Sequence, residues 1–279
     1  MSRYAVARFP TPVLTAPAFA LCFGGACPPL DKEQLLRPVE IILFPNSKIQ
    51  LVEHIDSSWI WRICTKEHPC TKELYIDERF VAFVDEQCPE RVQTLPSIDT
   101  MIKNLLDLIG NRYIWGGNWP EGIPQLLEWY NPTVKDTFLN PLIQDTWQLK
   151  GVDCSGLLYF AANGCTPRNT SELVDWGEPI LVAGKKIDAL IDCLLPLDLI
   201  VWKGHVIIVL DTQTAIESKE GIGVVTTALD KRLEEIFATR KPFDSYTPKE
   251  PSFVVRRWHP SSLQSLAKEI SIASNGIIK

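Results

Sequence analysis

A surplus of basic residues is missing: 28 Lys and Arg stand against 34 Asp and Glu, a formal charge of −6. Nucleic-acid binding normally rests on clustered cations that displace counterions, so the balance argues against that class of partner. A long apolar run is missing too. No stretch reaches the roughly 18 to 20 uninterrupted apolar residues that cross a bilayer, which argues against a membrane span. There is no internal repeat and no low-complexity tract. With 46% hydrophobic and 22% charged residues, the 279-residue chain has the composition of a globular protein, enough for one large domain or two ordinary ones. Histidine is scarce, four in all, so each one counts as a candidate for chemistry.

The apolar stretch from Val13 to Cys27, preceded by Arg3 and Arg8, has some features of an export signal. Pro10, Pro12 and Pro17 interrupt it, and the positions three places ahead of Cys22 and Cys27 lack the Leu that a lipoprotein signal usually carries there. RYAVARF and TPVLTAP read instead as a strand and a turn of the folded protein. The expectation is a soluble cytoplasmic protein, with a periplasmic or exported one as the alternative. Eight cysteines (22, 27, 64, 70, 88, 154, 165 and 193) are irregularly spaced in a chain too large to depend on a disulfide framework, so free thiols are expected. Cys64, His68, Cys70 and Cys88 include metal-ligand types without the paired spacing of a zinc site, and no metal is expected.

Between residues 38 and 85, VEIILF, KIQLVEHI, WIWRICT and LYIDERFVAFV are short runs rich in β-formers, separated by turn residues at PNS, DSS and KEHPCTKE. A small β-barrel is the natural packing, because closure removes exposed edges. CPERVQTLPSIDT reads as an interdomain linker. In IDTMIKNLLDLIG, Ile98, Met101, Leu105 and Ile109 fall at helical spacing, with Ser97 or Asp99 as cap and Gly110 as stop. The segment 113–147 is irregular and Trp-rich, suited to wrapping over a groove. A short buried helix follows at 154–163, and LDLIVW, HVIIVLD, TAIES, GVVTTA and FVVRRW read as strands of an antiparallel sheet. The fold class is α+β: a helix packed on an antiparallel sheet, preceded by a small β domain. The expected division is 1–90, a linker 91–100, and 101–279.

Chemistry concentrates in GVDCSGLLYFAANG, where Cys154 opens an apolar helix. A helix N-terminus favours thiolate over thiol through its dipole and unpaired N–H groups. Cys165 and Cys193 read as buried small hydrophobes. Fifty-one residues on, in WKGHVIIVLD, His205 follows Gly204 at the mouth of a strand, where an imidazole can take a proton from a thiol and return it to a leaving amine.

RYIWGG at 112–117, DCSG at 153–156, PRNT at 167–170, LDLIVWKGHVIIVLD at 197–211 and AIES at 215–218, in that order and spacing, resemble the NlpC-type family of papain-like cysteine peptidases, which are peptidoglycan endopeptidases. The resemblance covers roughly 105–258, and the β-rich front resembles the bacterial SH3-like domain that some members carry. It implies a papain-like domain after an SH3-like barrel, with Cys154 as nucleophile, His205 as base and Glu217 orienting the imidazole. Glu217 departs from the family, which most often has His there; beside Lys219 and Glu220 it also reads as a solvated charge. Tyr113 matches a residue that polarises the carbonyl under attack, with the Cys154 N–H completing the oxyanion hole.

Asp153, Ser155, Asn169, Thr170 and Trp115 are implied to line the substrate site, although members of this kind often have Asp where Asn169 stands. The implied reaction is hydrolysis of the bond between γ-D-glutamyl and a diamino acid such as meso-diaminopimelate in stem peptides or muropeptides, with no cofactor. Another amidase or acyltransferase using the same pair, or an inactive wall-peptide-binding protein, are the alternatives. The oligomeric state is left open.

Overall fold

The computed structural model describes residues 3–56, 58–131 and 141–262. Parts of three expected features lie outside the described residues: Ser57 of the DSS turn, 132–140 of the Trp-rich segment and the C-terminal end of 101–279. The protein is of mixed α and β structure with antiparallel sheets.

Strands β1 (Tyr4–Ala7), β2 (Thr11–Leu14), β3 (Val39–Leu43), β4 (Lys48–His54), β5 (Ile60–Cys64), β6 (Leu74–Asp77) and β7 (Val81–Val84) make one sheet in the order β3-β2-β6-β5-β4-β1-β7; helix α1 (Phe19–Phe23) lies between β2 and β3 in the chain. In β4, Ile49 and Leu51 are buried while Gln50 and Val52 are exposed, the period-two pattern of a strand with one wet face. TPVL, expected as a turn, is strand β2. Its Pro12 is tolerated because β2 is paired at that point only with β3, and its one registered partner in β6 is Leu14 to Tyr75, so the missing N–H leaves no ladder bond unmade.

Helix α2 (Ile98–Leu106) starts where Ser97 accepts a hydrogen bond from the Thr100 N–H, and it buries Met101 and Leu105. It stops short of Ile109, which is 48% exposed rather than in the core. The Trp-rich segment is more regular than expected. It contains β8 (Asn118–Trp119), α3 (Gln125–Tyr130) and α4 (Pro141–Trp147), and β8 pairs with β9 (Gly151–Val152). After α5 (Cys154–Ala161), α6 (Thr170–Leu173), β10 (Glu178–Ile180) and α7 (Ile187–Ile191) come β11 (Leu199–Trp202), β12 (His205–Val209), β13 (Thr214–Lys219) and β14 (Gly223–Ala228). The described chain then passes through α8 (Leu229–Phe237) and β15 (Lys241–Pro242) to β16 (Ser252–Arg257).

The second sheet runs β10-β16-β11-β12-β13-β14. Alternation along its strands builds two cores. Val206, Ile208 and Ile216 pack with Leu157, Leu158 and Ala161 of α5, while Ile207, Val209 and Ala215 pack with Leu190 of α7 and Leu229, Leu233 and Ile236 of α8. A helix buried all round, such as α5, is held by this packing rather than by an amphipathic face.

The first sheet is fastened to the segment that carries α5. Asn118 acts as a strand partner for β3, accepting from the Ile42 N–H and donating to the Ile42 carbonyl, both at 2.8 Å. Phe44 packs edge-on against Trp119, Tyr159 and Phe160, in one continuous core. These contacts bring residue 40 of β3 to the mouth of α5.

Candidate active site

Cys154 is the first residue of α5, and Asp153 caps the helix, accepting from the Gly156 N–H at 2.6 Å. Its other oxygen accepts from the Gly116 N–H at 3.0 Å, and the Asp153 N–H donates to the Gly117 carbonyl at 2.9 Å. Gly156 is required here, because a Cβ at that position would stand 1.9 Å from the Gly117 oxygen. The sulfur of Cys154 lies 3.9 Å from the Gly204 carbonyl. The N–H groups of Val206 and Ser155 also face it. Cys154 therefore rests against the backbone on both sides of His205. Gly204 has φ +107°, a turn conformation that a side chain would strain, and its N–H donates to the Thr170 hydroxyl at 2.9 Å.

His205 Nε2 is 2.6 Å from Glu217 Oε2, which leaves Nδ1 as the ring nitrogen not taken up by the carboxylate. Glu217 is 1% exposed and is not a solvated charge. Arg232 of α8 holds both its oxygens, Nε donating to Oε1 at 2.7 Å and Nη2 to Oε2 at 2.9 Å. Burial alone would raise the Glu217 pKa, but the hydrogen bonds from His205 and Arg232 outweigh it and hold the acid at about 2. A depressed carboxylate adds stability above its ordinary value of 4.5 and loses it as pH falls toward about 2. Glu217→Gln is therefore expected to cost about 3 kcal/mol at pH 7, a deficit that closes between roughly pH 5 and pH 2. Urea unfolding of both proteins across that range measures it, and a constant deficit would contradict the linkage.

The thiol itself departs from expectation. Burial first, then the Asp153 carboxylate, pushes Cys154 up to about 12, against the pull of the two N–H groups and Arg168. Use of this thiol as a nucleophile would therefore need a base to take its proton. Burial, followed by the charges of Asp153 and Cys154, also pushes the Tyr113 phenol up, so it stays an O–H donor.

A cavity of about 470 Å³ opens over the sulfur. It gathers Tyr113, Trp115, Asp153, Cys154, Ser155, Asn169 and Thr170 with Gly204, and from the first sheet Glu40, Cys70 and Lys72. His205 and Glu217 do not line it; His205 adjoins it through Gly204. Arg37 stacks over the Trp115 ring at 4.2 Å. Asp153 and Ser155, expected to bind substrate, are engaged internally by Arg168. Its Nη1 reaches Asp153 Oδ1 at 3.0 Å and Ser155 Oγ at 2.9 Å, and its Nη2 reaches Asp153 Oδ2 at 2.7 Å.

Four residues of this region were not singled out from the sequence. Arg168 lies inside the PRNT motif, and only its 2% exposure separates it from a surface arginine. Glu40 did leave a signal, a carboxylate within the apolar run VEIIL, every residue of which is buried. Its oxygens accept from Asn169 Nδ2 at 3.1 Å and Lys72 Nζ at 2.7 Å, and His68 Nε2 lies at 3.1 Å. Burial opposes ionisation, but these three bonds hold Glu40 at about 2. Lys72 sits in a turn-rich stretch and Arg232 on an amphipathic helix, where both read as solvated charges. His68 is thus bound to Glu40, and among the described residues no group of three or more His, Cys, Asp or Glu is arranged to hold a metal ion. The eight cysteines are free thiols; Cys165 and Cys193, expected to be buried, are only partly so, because they stand just past the ends of α5 and α7. No helix among the described residues is long and apolar enough to cross a membrane.

No family model matches the chain, and no curated protein matches it. Solved structures are similar to it. An NlpC/P60 family protein from Bacillus cereus is 17% identical over 93% of this chain and 64% of its own length, with a TM-score of 0.36. NlpC2 from Trichomonas vaginalis is 14% identical over 92% of this chain and 73% of its own, with a TM-score of 0.34. RipD from Mycobacterium tuberculosis, described as a non-catalytic NlpC/p60 domain protein adapted to a peptidoglycan-binding function, is 18% identical over 58% of this chain and 98% of its own, with a TM-score of 0.34. The chain thus spans less than two thirds of the length of the Bacillus protein.

Proposed function

We propose that the protein is a cysteine hydrolase that cleaves the amide bond between γ-D-glutamyl and a diamino acid such as meso-diaminopimelate in peptidoglycan stem peptides. The observation that carries this reading is the thiol at the start of α5, set against the backbone on both sides of a histidine whose Nε2 is held by a buried carboxylate. In the proposed reaction His205 Nδ1 takes the Cys154 proton as Sγ attacks the amide carbon, and the oxyanion meets the Tyr113 hydroxyl and the Cys154 N–H. The tetrahedral adduct collapses to a thioester, the C–N bond breaks and the imidazolium gives its proton to the leaving amine. Water then attacks the thioester, losing a proton to His205, and the acid leaves as Sγ regains that proton.

Recognition at the far end of the cavity would use Glu40. Its carboxylate supplies the anion that Asn169 does not, and a peptide ammonium would replace the head of Lys72, whose side chain is 57% exposed. On this reading an SH3-like domain, residues 1–90, joined by a linker 91–100 to a papain-like domain 101–279, narrows the site to short peptides with a free L-Ala amine. That suits recycling of released wall fragments in the cytoplasm.

Glu217 and Asn169, where the family pattern has other residues, prompt a second reading, a wall-peptide-binding protein that does not cleave. Mass spectrometry of L-Ala-γ-D-Glu-meso-diaminopimelate after incubation separates the two. Release of diaminopimelate is expected, and N-acetylation of L-Ala is expected to suppress it by at least about tenfold, the loss of one charge-assisted bond. Intact peptide that nevertheless binds would favour the second reading. No cleavage and no binding would point to another amidase or an acyltransferase.

A further inference from the structure

Glu217 is held by more positive charge than an imidazole requires for orientation. Its Oε2 meets His205 Nε2 at 2.6 Å and Arg232 Nη2 at 2.9 Å, and its Oε1 meets Arg232 Nε at 2.7 Å. The guanidinium comes from α8, packed on the sheet face that carries Ala215 and Glu217, and Glu235 of the same helix fixes its remaining arm at 2.7 Å. Building on the hydrolase reading above, we propose that Arg232 is a positioning residue that sets the basicity of His205 by sharing the Glu217 carboxylate.

The reasoning is electrostatic. A buried carboxylate bound to an imidazole stabilises the imidazolium, and a fully protonated base cannot accept the thiol's proton. A guanidinium bidentate on the same carboxylate opposes protonation of the ring. It also fixes the carboxylate plane, so that Oε2 stays directed at Nε2. The other charges around the pair are weaker or further away. Lys219 of β13 reaches Oε1 at 3.5 Å, and Glu235 of α8 faces Arg232 and Lys219. Arg240 stacks on Trp202, whose ring lies 5.3 Å from that of His205. Asp153 and Arg168 stand on the Cys154 side as a mutually paired couple. Arg232, with 12% side-chain exposure and two bonds, is the cation coupled most tightly to Glu217.

The His205 titration, followed by NMR of the histidine ring protons with His205→Gln to assign the signal, tests this without any turnover. Arg232→Met is expected to raise the His205 midpoint by about one unit, the usual size of a neighbouring-charge effect. Arg232→Lys is expected to restore it to within a few tenths of a unit. In the peptide assay the acid limb of kcat/KM moves up by the same amount in Arg232→Met. Should Arg232→Met not fold, the same comparison is made with Arg232→Gln, which keeps a hydrogen-bond donor on Glu217 but no charge, and a rise is again expected. A midpoint that does not rise on removing Arg232 in a folded protein overturns the proposal. Absence of peptide cleavage would instead sink the hydrolase reading and leave the titration readable.

Discussion

Cys154→Ala is expected to abolish release of the diamino acid, lowering kcat/KM by at least about four orders of magnitude, because a covalent nucleophile and its base act as one unit. His205→Ala should cost nearly as much, and the double variant no more than either alone. The near-equality follows from the state of the sulfur. With the thiol held at about 12, almost none of it is ionised at neutral pH, so the nucleophile without its base is nearly as inert as no nucleophile. A preformed thiolate would behave differently, with the histidine variant retaining substantial activity. Folding should hardly register the change. Cys154 is 5% exposed, and replacing its sulfur by hydrogen costs about 1 kcal/mol, roughly 2–4 °C of melting temperature in a chain of this size. Product analysis by mass spectrometry beside a thermal melt checks both parts, and cleavage that survives in Cys154→Ala would sink the mechanism.

The elements of this site differ in how legible they were in the sequence. Cys154 and His205 each stand at the boundary between polar chain and an apolar run, and α5 and β12 begin at those residues. A boundary of this kind is a local property, so periodicity and capping chemistry reach it. Asp153 as the cap of α5 belongs to the same local logic. Glu40, Lys72 and Arg232 do not. Glu40 meets Asn169 across 129 residues, through a sheet whose position is fixed by Asn118 pairing with Ile42 and by the Phe44 aromatic cluster. No pattern within a window of the chain records that docking. Arg232 lies in KRLEE, where alternating charges read as a wet helix face, and its partner Glu217 reads the same way beside Lys219 and Glu220. Each charge looks solvated by itself, and only the packing of α8 on the sheet, which brings them together, shows a buried pair. The raised thiol has the same origin. The helix start predicts a pull toward thiolate, but burial, decided by the packing of α5 on β12, exceeds it.

Arg168→Met should be the most destabilising single change in the site. Arg168 is 2% exposed, and it joins both Asp153 oxygens, the Ser155 hydroxyl and, at 3.3 Å, the Gly117 carbonyl. Removing one partner of a buried pair leaves the other charge uncompensated and costs about 3–5 kcal/mol, on the order of 10 °C in melting temperature. Asp153 keeps its bonds from the Gly116 and Gly156 N–H groups, so α5 remains capped and the loss is of charge balance rather than of the helix. That balance bears directly on the chemistry. Asp153 already pushes the Cys154 thiol upward and Arg168 pulls it down, so without the guanidinium the thiol rises further and kcat falls along with stability. Arg168→Lys preserves the charge but not the planar two-point grip, and should recover only part of each. Asp153→Asn/Arg168→Met removes both charges and should be more stable than Arg168→Met alone, a coupling measurable in a double-mutant cycle. A loss below about 1 kcal/mol in Arg168→Met, the range of an exposed ion pair, would mean that water reaches Asp153 and that the cavity floor is not the closed ion pair described above.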